Sequence, residues 1–181
     1  NQLYMMVEAA GLDYRRLLDG MKDGYPRMAS IPRAGFAAGP CLMKDTMQLF
    51  AFEKHNFVLG QVAMTINEGL PDFLVSRLSQ DHDLSKETVG ILGMAFKADS
   101  DDIRDSLSFK LKKILSFAGA RVLCADPHVQ DPGLVPANEV VRRCRILILG
   151  VPHRAYRRLK IPRDRKVIDI WGFWSRTADR D

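Results

Sequence analysis

The chain has 181 residues, of which 46% are hydrophobic and 27% are charged, and its net charge at neutral pH is +5. This composition is typical of a globular protein with one large domain or two small ones. It argues against a membrane-spanning protein, since the longest apolar run, residues 146–151, is too short to cross a bilayer. The basic residues form no long stripe with interleaved aromatic residues, which argues against nucleic acid as a partner.

The cysteine pattern indicates neither a metal site nor a disulfide framework. Cys41, Cys124 and Cys144 are widely spaced and form no CxxC pair and no Cys/His ligand pattern. An odd number of cysteines without a framework favours a reducing compartment, so we expect a cytoplasmic protein. The chain carries no apparent signal peptide and opens inside a helical pattern rather than with Met, which we interpret as a piece of a longer protein.

The first part of the chain, residues 1–80, is mainly helical in pattern. Gly11 suits the left-handed position that ends a first helix, and Asp13 suits the N-cap of a second. Residues 24–40 contain three prolines and three glycines and predict an irregular loop. The inward positions expected in the first helix are Leu3, Met6, Val7 and Ala10.

Two further helices follow the loop. The apolar spacing predicts one helix over residues 46–58 and a longer one over 60–79. Because proline lacks an N–H and disturbs a helix interior, we expect the longer helix to be kinked or restarted at Pro71. The polar stretch 81–87 then connects to a different pattern.

The second part of the chain alternates apolar strands with helices, which predicts the α/β class with a doubly wound, parallel, Rossmann-like sheet. Such sheets bind ligands beyond the carboxyl ends of their strands, which places Lys97, Asp126, residues 151–153 and residues 171–172 near any site. The dinucleotide fingerprint GxGxxG is absent, so this sheet is not expected to bind NAD in the standard way. The predicted strands span residues 89–94, 121–126, 146–149 and 166–170.

A thiol on a Gly/Pro-rich turn is the first candidate for chemistry. The turn runs from Gly35 to Cys41, and Lys44 and Asp45 follow it closely. A thiolate is the reactive form of cysteine, and a helix N-terminus or a nearby cation favours it. A helix starting near Leu42 would place Cys41 and Asp45 on one face. By itself this pattern fits a catalytic thiol and a buried, inert cysteine equally well.

An acidic loop between a strand and a helix is the second candidate. It runs from Gly93 to Ser106, is framed by Lys97 and Arg104, and offers Asp105 or Ser106 as the N-cap of the next helix. In isolation this pattern is typical of a solvated connection whose cations balance four aspartates.

Together the two segments carry a specific resemblance. The chain resembles the C-terminal half of the UDP-glucose/GDP-mannose dehydrogenase family, the NAD-dependent nucleotide-sugar dehydrogenases. The matching segments keep the family order along nearly the whole chain and are residues 35–45, 66–71, 93–106, 125–127 and 167–169.

The resemblance implies a three-part enzyme with an N-terminal NAD-binding domain, a central helical dimerisation domain and a C-terminal nucleotide-binding domain. Residues 1–80 then correspond to the end of the central domain with the catalytic cysteine loop. Residues 81–181 correspond to the UDP- or GDP-sugar-binding domain, and the NAD-binding domain lies outside this chain.

The activity implied by the resemblance is a two-step oxidation of the sugar C6 alcohol to a carboxylate with two NAD. The second step passes through a thiohemiacetal and a thioester on the cysteine. The expected partners are a nucleotide-sugar substrate and a second copy in a homodimer. The chain alone is expected to be inactive, since the cofactor domain and the family's catalytic Lys, Asn and Glu would precede Asn1.

The resemblance also implies roles for individual residues. Cys41 corresponds to the nucleophile, and Asp45 corresponds to the aspartate that assists water activation. The implied cofactor-binding residues are Lys44 and Arg104. The implied substrate-binding residues are Arg27 (toward the substrate of a partner subunit), Arg33, Gly35, Phe36, Phe96 and Lys97 (on phosphate).

Two departures from the family pattern affect specificity. The loop from Gly35 to Cys41 has fewer glycines than the family's GxGxGGxC, which reshapes the sugar pocket. Residues 169–172 replace an Asp-Gly-Arg found in some UDP-glucose enzymes, which favours the UDP-N-acetylhexosamine or GDP-mannose branch. An alternative hypothesis is a non-catalytic nucleotide-sugar-binding or dimerisation module in which Cys41 is structural.

Overall fold

A computed structural model describes residues 1–54 and 56–174. The first part consists of the helices α1 (Gln2–Ala9), α2 (Tyr14–Lys22), α3 (Pro40–Phe52) and α4 (Val58–Asp81). The second part consists of β1 (Thr88–Leu92), α5 (Leu107–Phe117), β2 (Arg121–Ala125), α6 (Ala137–Arg143), β3 (Ile146–Leu149) and β4 (Lys166–Ile168). Among the described helices, none has both the length and the apolar character that a membrane crossing requires.

The four strands form one parallel sheet in the order β2-β1-β3-β4. In the centre of the sheet Val89 pairs with Val122 on one side and with Ile146 on the other. The chain moves outward from β1 to β2 and then crosses back past β1 to β3, so the connecting helices α5 and α6 cover opposite faces. The predicted doubly wound α/β fold is confirmed.

Alternate strand residues supply two separate cores, because successive side chains of a strand point to opposite faces. Ile91 and Ile148 pack with α4 and α5 on one face of the sheet, together with the buried Leu111. Leu92 and Leu147 pack with α6 on the other face. Each such fully buried aliphatic side chain contributes about 1.5–3 kcal/mol through the hydrophobic effect. The sheet is therefore a rigid base for the loops at its edges.

The predicted helix ends are largely confirmed, since local chemistry determines them. The Asp13 carboxylate accepts from the backbone N–H of Arg16 at the start of α2. Ser106 is the N-cap of α5, and Gly11 and Gly119 adopt positive φ after α1 and α5.

Three helix predictions are wrong. Helix α3 begins at Pro40 and ends at Phe52 rather than covering 46–58, because proline is well suited to a first helical position, where its missing N–H is not needed. The prediction that Met6 of α1 faces inward also fails. Met6 is 64% exposed, and Leu3 and Ala10 are exposed as well, whereas Val7 is buried as predicted, together with Tyr4.

The third wrong prediction is a restart of α4 at Pro71, which lies inside a continuous helix. Proline cannot donate to the carbonyl of Asn67, four residues earlier. The Nζ of Lys110 in α5 donates to the neighbouring carbonyl of Glu68 at 2.6 Å. Tertiary packing thus supports the helix where its own ladder is interrupted.

A substitution at Gly90 tests the packing between β1 and α6. A Cβ atom there would lie 2.4 Å from Val140 Cγ1 and 2.9 Å from Leu147 Cδ2. We expect Gly90→Ala to lower the free energy of unfolding in urea by about 1–3 kcal/mol through overpacking. Gly69→Ala is the matched control, since a Cβ at Gly69 in α4 meets nothing within 4 Å. Alanine there should be neutral or stabilise by up to about 1 kcal/mol. If both substitutions changed the free energy of unfolding equally, the close packing of α6 against Gly90 would be contradicted.

Candidate functional site

The loops at the carboxyl edge of the sheet approach one another most closely after β1 and β3. Gly93 has φ +97°, and a Cβ atom there would lie 2.6 Å from the backbone nitrogen of Val151. A Cβ atom on Gly150 would lie 2.3 Å from Ser108 Oγ and 2.6 Å from the Gly93 carbonyl oxygen. The two loops meet because neither glycine carries a side chain. This is the topological switch point, where α/β sheets bind their ligands.

Two asparagines hold the backbone of the irregular segment 32–39. Asn67 of α4 accepts from the N–H of Ala37 at 3.1 Å and donates to the carbonyl of the same residue. Asn1 accepts from the N–H of Gly35 at 2.9 Å and donates to its carbonyl at 3.0 Å. Asn1 also donates to Asn67 Oδ1 at 3.1 Å. These bonds replace the regular secondary structure that the segment lacks.

The same segment is anchored to the loop after β4. The Trp171 ring lies against Gly35, where a Cβ atom would come within 2.3 Å of it. The indole N–H of Trp171 donates to the carbonyl of Gly150 at 3.1 Å. Arg33 Nη1 donates to the carbonyl of Gly172 at 3.1 Å. The structure therefore brings Arg33 and Gly35 to the carboxyl edge of the sheet, where the loop with residues 171–172 lies.

Cys41 is exposed in the first turn of α3, which Pro40 begins. The N-cap Gly39 has φ +122°, and its position leaves no room for a side chain, since a Cβ atom would lie 2.9 Å from the Phe96 ring. The thiol is thus presented next to the loop that follows β1. The expectation that Cys41 is buried is therefore wrong.

The other residues of this turn follow the expected helical arrangement. Asp45 comes four residues after Cys41 in α3, which places the two on one helix face. Lys44 Nζ lies 3.3 Å from the Asp45 carboxylate, and both side chains are exposed. The other two thiols differ, because burial raises the pKa of Cys124 and Cys144 to about 11.

Arg104 and Asp102 form an exposed ion pair on the Cys41 side of the acidic loop. The guanidinium donates from Nε at 3.0 Å and from Nη2 at 2.6 Å to the two carboxylate oxygens. These bonds lower the pKa of Asp102 to about 2. The pKa of Arg104 is raised chiefly by Asp102 and further by the nearby charges of Cys41 and Asp105. Arg104 and Cys41 therefore belong to one electrostatic environment.

The loop after β1 presents two of the predicted substrate residues. Lys97 is exposed, and its Nζ lies 5.2 Å from the centre of the Phe96 ring. The backbone N–H of Phe96 donates to the carbonyl of Asp102 at 2.8 Å, which closes the loop. Phe96 thereby contacts both the cation Lys97 and the turn that precedes Cys41.

A buried Asp-His pair lies underneath this loop. The side chains of Asp126 and His153 are fully buried, with Oδ2 and Nε2 3.0 Å apart. Burial alone would raise the pKa of Asp126, but the hydrogen bonds that its carboxylate accepts hold this pKa well below the usual range. The donors are His153 Nε2 and the backbone N–H groups of Met94, Ala95, His128 and Val129.

His153 and two neighbouring side chains have the arrangement of a metal site but serve another function. Ligand atoms of Asp99, His128 and His153 lie within 4.8 Å of one another. Both ring nitrogens of His153 already have partners, which are the N–H of Asp99 and the carboxylate of Asp126. A metal ion would have to break these bonds, so the cluster is a hydrogen-bonded support for the loop.

Two predicted residues are placed differently from the rest. Arg27 lies in a short 3₁₀ turn, is exposed, and has no hydrogen bond or ion pair with another site residue in the described part of the chain. Phe36 is buried in the core, so its ring is not available to a ligand. The sequence placed Asp126 and His153 at the correct edge but gave no indication that they form a pair.

The parallel sheet, its switch point and the loops beside an exposed thiol define an α/β domain joined to a helical segment. Residues 90–176 match the UDP binding domain of the UDP-glucose/GDP-mannose dehydrogenase family. The resemblance to this family noted in the sequence is confirmed over these residues.

Individual relatives agree with this assignment. The chain is 26% identical over 186 residues to an NDP-N-acetyl-D-galactosaminuronic acid dehydrogenase of Ralstonia nicotianae, covering 97% of this chain and 44% of the relative. It superposes on a UDP-glucose dehydrogenase of Pyrobaculum islandicum with a TM-score of 0.76 at 20% identity, covering 97% and 47% of the two chains. An NDP-N-acetyl-D-galactosaminuronic acid dehydrogenase of Methanosarcina mazei gives a TM-score of 0.68 at 29% identity, covering 88% and 38%. The chain thus spans less than half the length of these relatives.

Removing the Asn67 side chain tests how the segment 32–39 is held. We expect Asn67→Ala to lower the free energy of unfolding by about 1–3 kcal/mol, because polar groups of Ala37 lose their partners. Amide exchange at Ala37 should accelerate in the same variant. Asn138→Ala, at an exposed position of α6, is the matched control and should change neither quantity. An Asn67 variant as stable as this control would contradict the proposed support.

Proposed function

We propose that the chain is the cysteine-bearing and nucleotide-sugar-binding part of an NAD-dependent nucleotide-sugar dehydrogenase. The intact enzyme would oxidise the C6 alcohol of the sugar to a carboxylate. The observation that carries this proposal is the position of Cys41, whose exposed thiol starts a helix directly beside the Phe96 loop of the UDP binding domain. In this reading residues 1–80 end the central helical domain and residues 81–181 form the nucleotide-sugar domain.

The chemistry proposed for Cys41 is covalent catalysis of the second oxidation. The sulfur adds to the carbonyl carbon of the C6 aldehyde and forms a thiohemiacetal. Loss of hydride from C6 and of the proton from its hydroxyl group then gives a thioester, and water attacks its carbonyl to release the carboxylate and the thiol. Asp45, on the same helix face, is proposed to orient or deprotonate that water. The free N–H groups in the first turn of α3 favour the negative charge that develops beside Cys41.

The substrate is proposed to bind along the carboxyl edge of the sheet. Lys97 offers an exposed ammonium group for the diphosphate, and Arg33, anchored at Gly172, offers a second cation. The segment with Gly35 and Phe36 is proposed to border the sugar. A diphosphate carries the negative charge that these two cations fit. Arg27 remains a proposed contact to the substrate of a second subunit.

NAD is proposed to reach Cys41 from a domain outside this chain. When bound, it accepts the hydride released in each oxidation. The residues of this chain that suit the dinucleotide are Lys44 and Arg104, exposed cations on the Cys41 side of the site. The sheet itself has no dinucleotide fingerprint, which agrees with its proposed role in holding the nucleotide sugar.

A homodimer is proposed from the apolar surface of the helical part. Helices α3 and α4 pack against each other and leave large hydrophobic side chains uncovered, a feature typical of interfaces. The exposed residues are Leu42, Met43, Met47, Leu49, Phe52, Val58, Leu59 and Val62.

The proposed substrate branch is a UDP-N-acetylhexosamine. Two of the relatives above are named for N-acetyl-D-galactosaminuronic acid. The loop after β4 carries Trp171 and Gly172 after Asp169, in place of an Asp-Gly-Arg. The alternative is a binding module with a structural, unreactive Cys41, and the exposure of this thiol favours the catalytic role over it.

Calorimetry with nucleotide sugars tests the binding part of this proposal. The chain should bind a UDP-N-acetylhexosamine more tightly than UDP-glucose or GDP-mannose and should not bind NAD. Lys97→Ala should weaken binding about tenfold or more, because a charge-assisted bond to phosphate is lost. Lys113→Ala, at an exposed position of α5, should leave the affinity unchanged. If the chain bound NAD but no nucleotide sugar, the proposal would be contradicted.

Alkylation by iodoacetamide tests the role of Cys41. We expect Cys41 to react in the folded protein, while Cys124 and Cys144 react only after unfolding, since both are buried with a pKa of about 11. Mass spectrometry of peptides identifies the modified thiol. Bound nucleotide sugar should slow the labelling of Cys41, and Cys41→Ser should abolish rapid labelling. If Cys41 reacts no faster than the buried thiols, the non-catalytic alternative holds.

A further inference from the structure

The carboxylate of Asp126 joins the loops that follow β1, β2 and β3. Its Oδ2 accepts from the N–H groups of Met94 at 2.6 Å and Ala95 at 3.0 Å, both in the loop after β1. Its Oδ1 accepts from two N–H groups of its own loop. The third loop contributes His153, whose Nε2 lies 3.0 Å from Oδ2. One buried side chain therefore fixes the start of the segment 94–99.

His153 fixes the end of the same segment. Its Nδ1 accepts from the backbone N–H of Asp99 at 2.9 Å. A backbone N–H can only donate, so the ring proton is on Nε2, which donates to Asp126. The Asp99 carboxylate in turn accepts from the backbone N–H and from Nε of Arg154. The segment is held at both ends, and Phe96 and Lys97 lie between the two attachment points.

A role in packing alone does not account for this pair. Burying a carboxylate and an imidazole is costly, and apolar side chains of similar volume would stabilise a core at least as well. The pair instead provides directed hydrogen bonds to three backbone N–H groups at the ends of one short segment. Such geometry specifies the position of a loop rather than maximising stability.

We propose that Asp126 and His153 are positioning residues, which hold the segment 94–99 so that Lys97 meets the nucleotide diphosphate and Phe96 stays against Gly39. The pair contacts neither substrate nor Cys41 and acts through the segment. This inference rests on the proposed function, because it assigns the segment to the nucleotide-sugar site. It adds two residues in the interior to a site otherwise built from surface loops.

Two substitutions at His153 separate positioning from general stability. His153→Leu keeps the bulk of the ring and removes both hydrogen bonds. His153→Asn places an amide oxygen where Nδ1 lies and keeps an acceptor for the N–H of Asp99. His82→Gln is the control, since His82 lies at the end of α4, away from the carboxyl edge. UDP affinity is measured by calorimetry, and amide exchange of residues 94–99 is measured without ligand.

We expect His153→Leu to weaken UDP binding about tenfold or more and to accelerate exchange at Asp99 and its neighbours. His153→Asn should restore protection at Asp99 and most of the affinity, whereas a purely structural role would give no such rescue. A folded His153→Leu protein with wild-type affinity and exchange would overturn the inference. If His153→Leu does not fold, Asp126→Asn decides, and wild-type affinity and exchange in that variant overturn the inference equally. If the wild type does not bind UDP, the proposed function is refuted instead. The exchange rates of residues 94–99 would then still show whether His153 holds the segment.

Discussion

Backbone polar groups at the carboxyl edge of the sheet are the constraint on which the site depends. Four strands end there, and the loops that follow have no ladder to pair their N–H and carbonyl groups. Asn67 and Asp126, with their neighbours Asn1 and His153, supply the missing partners. These side chains are buried or partly buried, so their bonds form in a medium where an unmade bond is costly. The loops at the surface of the site have no regular secondary structure, but the hydrogen bonds beneath them fix the positions of their backbone.

Contacts between rings and glycines join the helical part to the sheet. Trp171 lies on Gly35, and Phe96 lies on Gly39, so one aromatic ring from each of two edge loops fits against the backbone of the cysteine segment. Both contacts depend on the absence of a side chain at the glycine. They fix the distance between the thiol of Cys41 and the nucleotide-binding edge without any regular element between them. The relation of these two parts is thus established by packing rather than by a hydrogen-bonded ladder.

The sequence predicted the elements whose cause is local. The four strands, the N-caps at Asp13 and Ser106 and the loop around Cys41 follow from apolar periodicity, short polar side chains and glycine or proline positions. It could not predict that α4 continues through Pro71, because the support comes from Lys110, which is distant in sequence. For the same reason it placed Asp126 at the correct edge without its partner His153, 27 residues further on.

The turn before Cys41 contains one position that excludes a side chain and one at which the side chain can vary. At Gly39, both the positive φ and the Phe96 ring exclude any side chain. At the exposed Ala37, only the backbone is bound, by Asn67, and the side chain is free to differ. Variation can therefore accumulate two residues from a position that tolerates none. Within such a lineage, the surface of this turn can diversify while the backbone geometry before Cys41 is inherited unchanged.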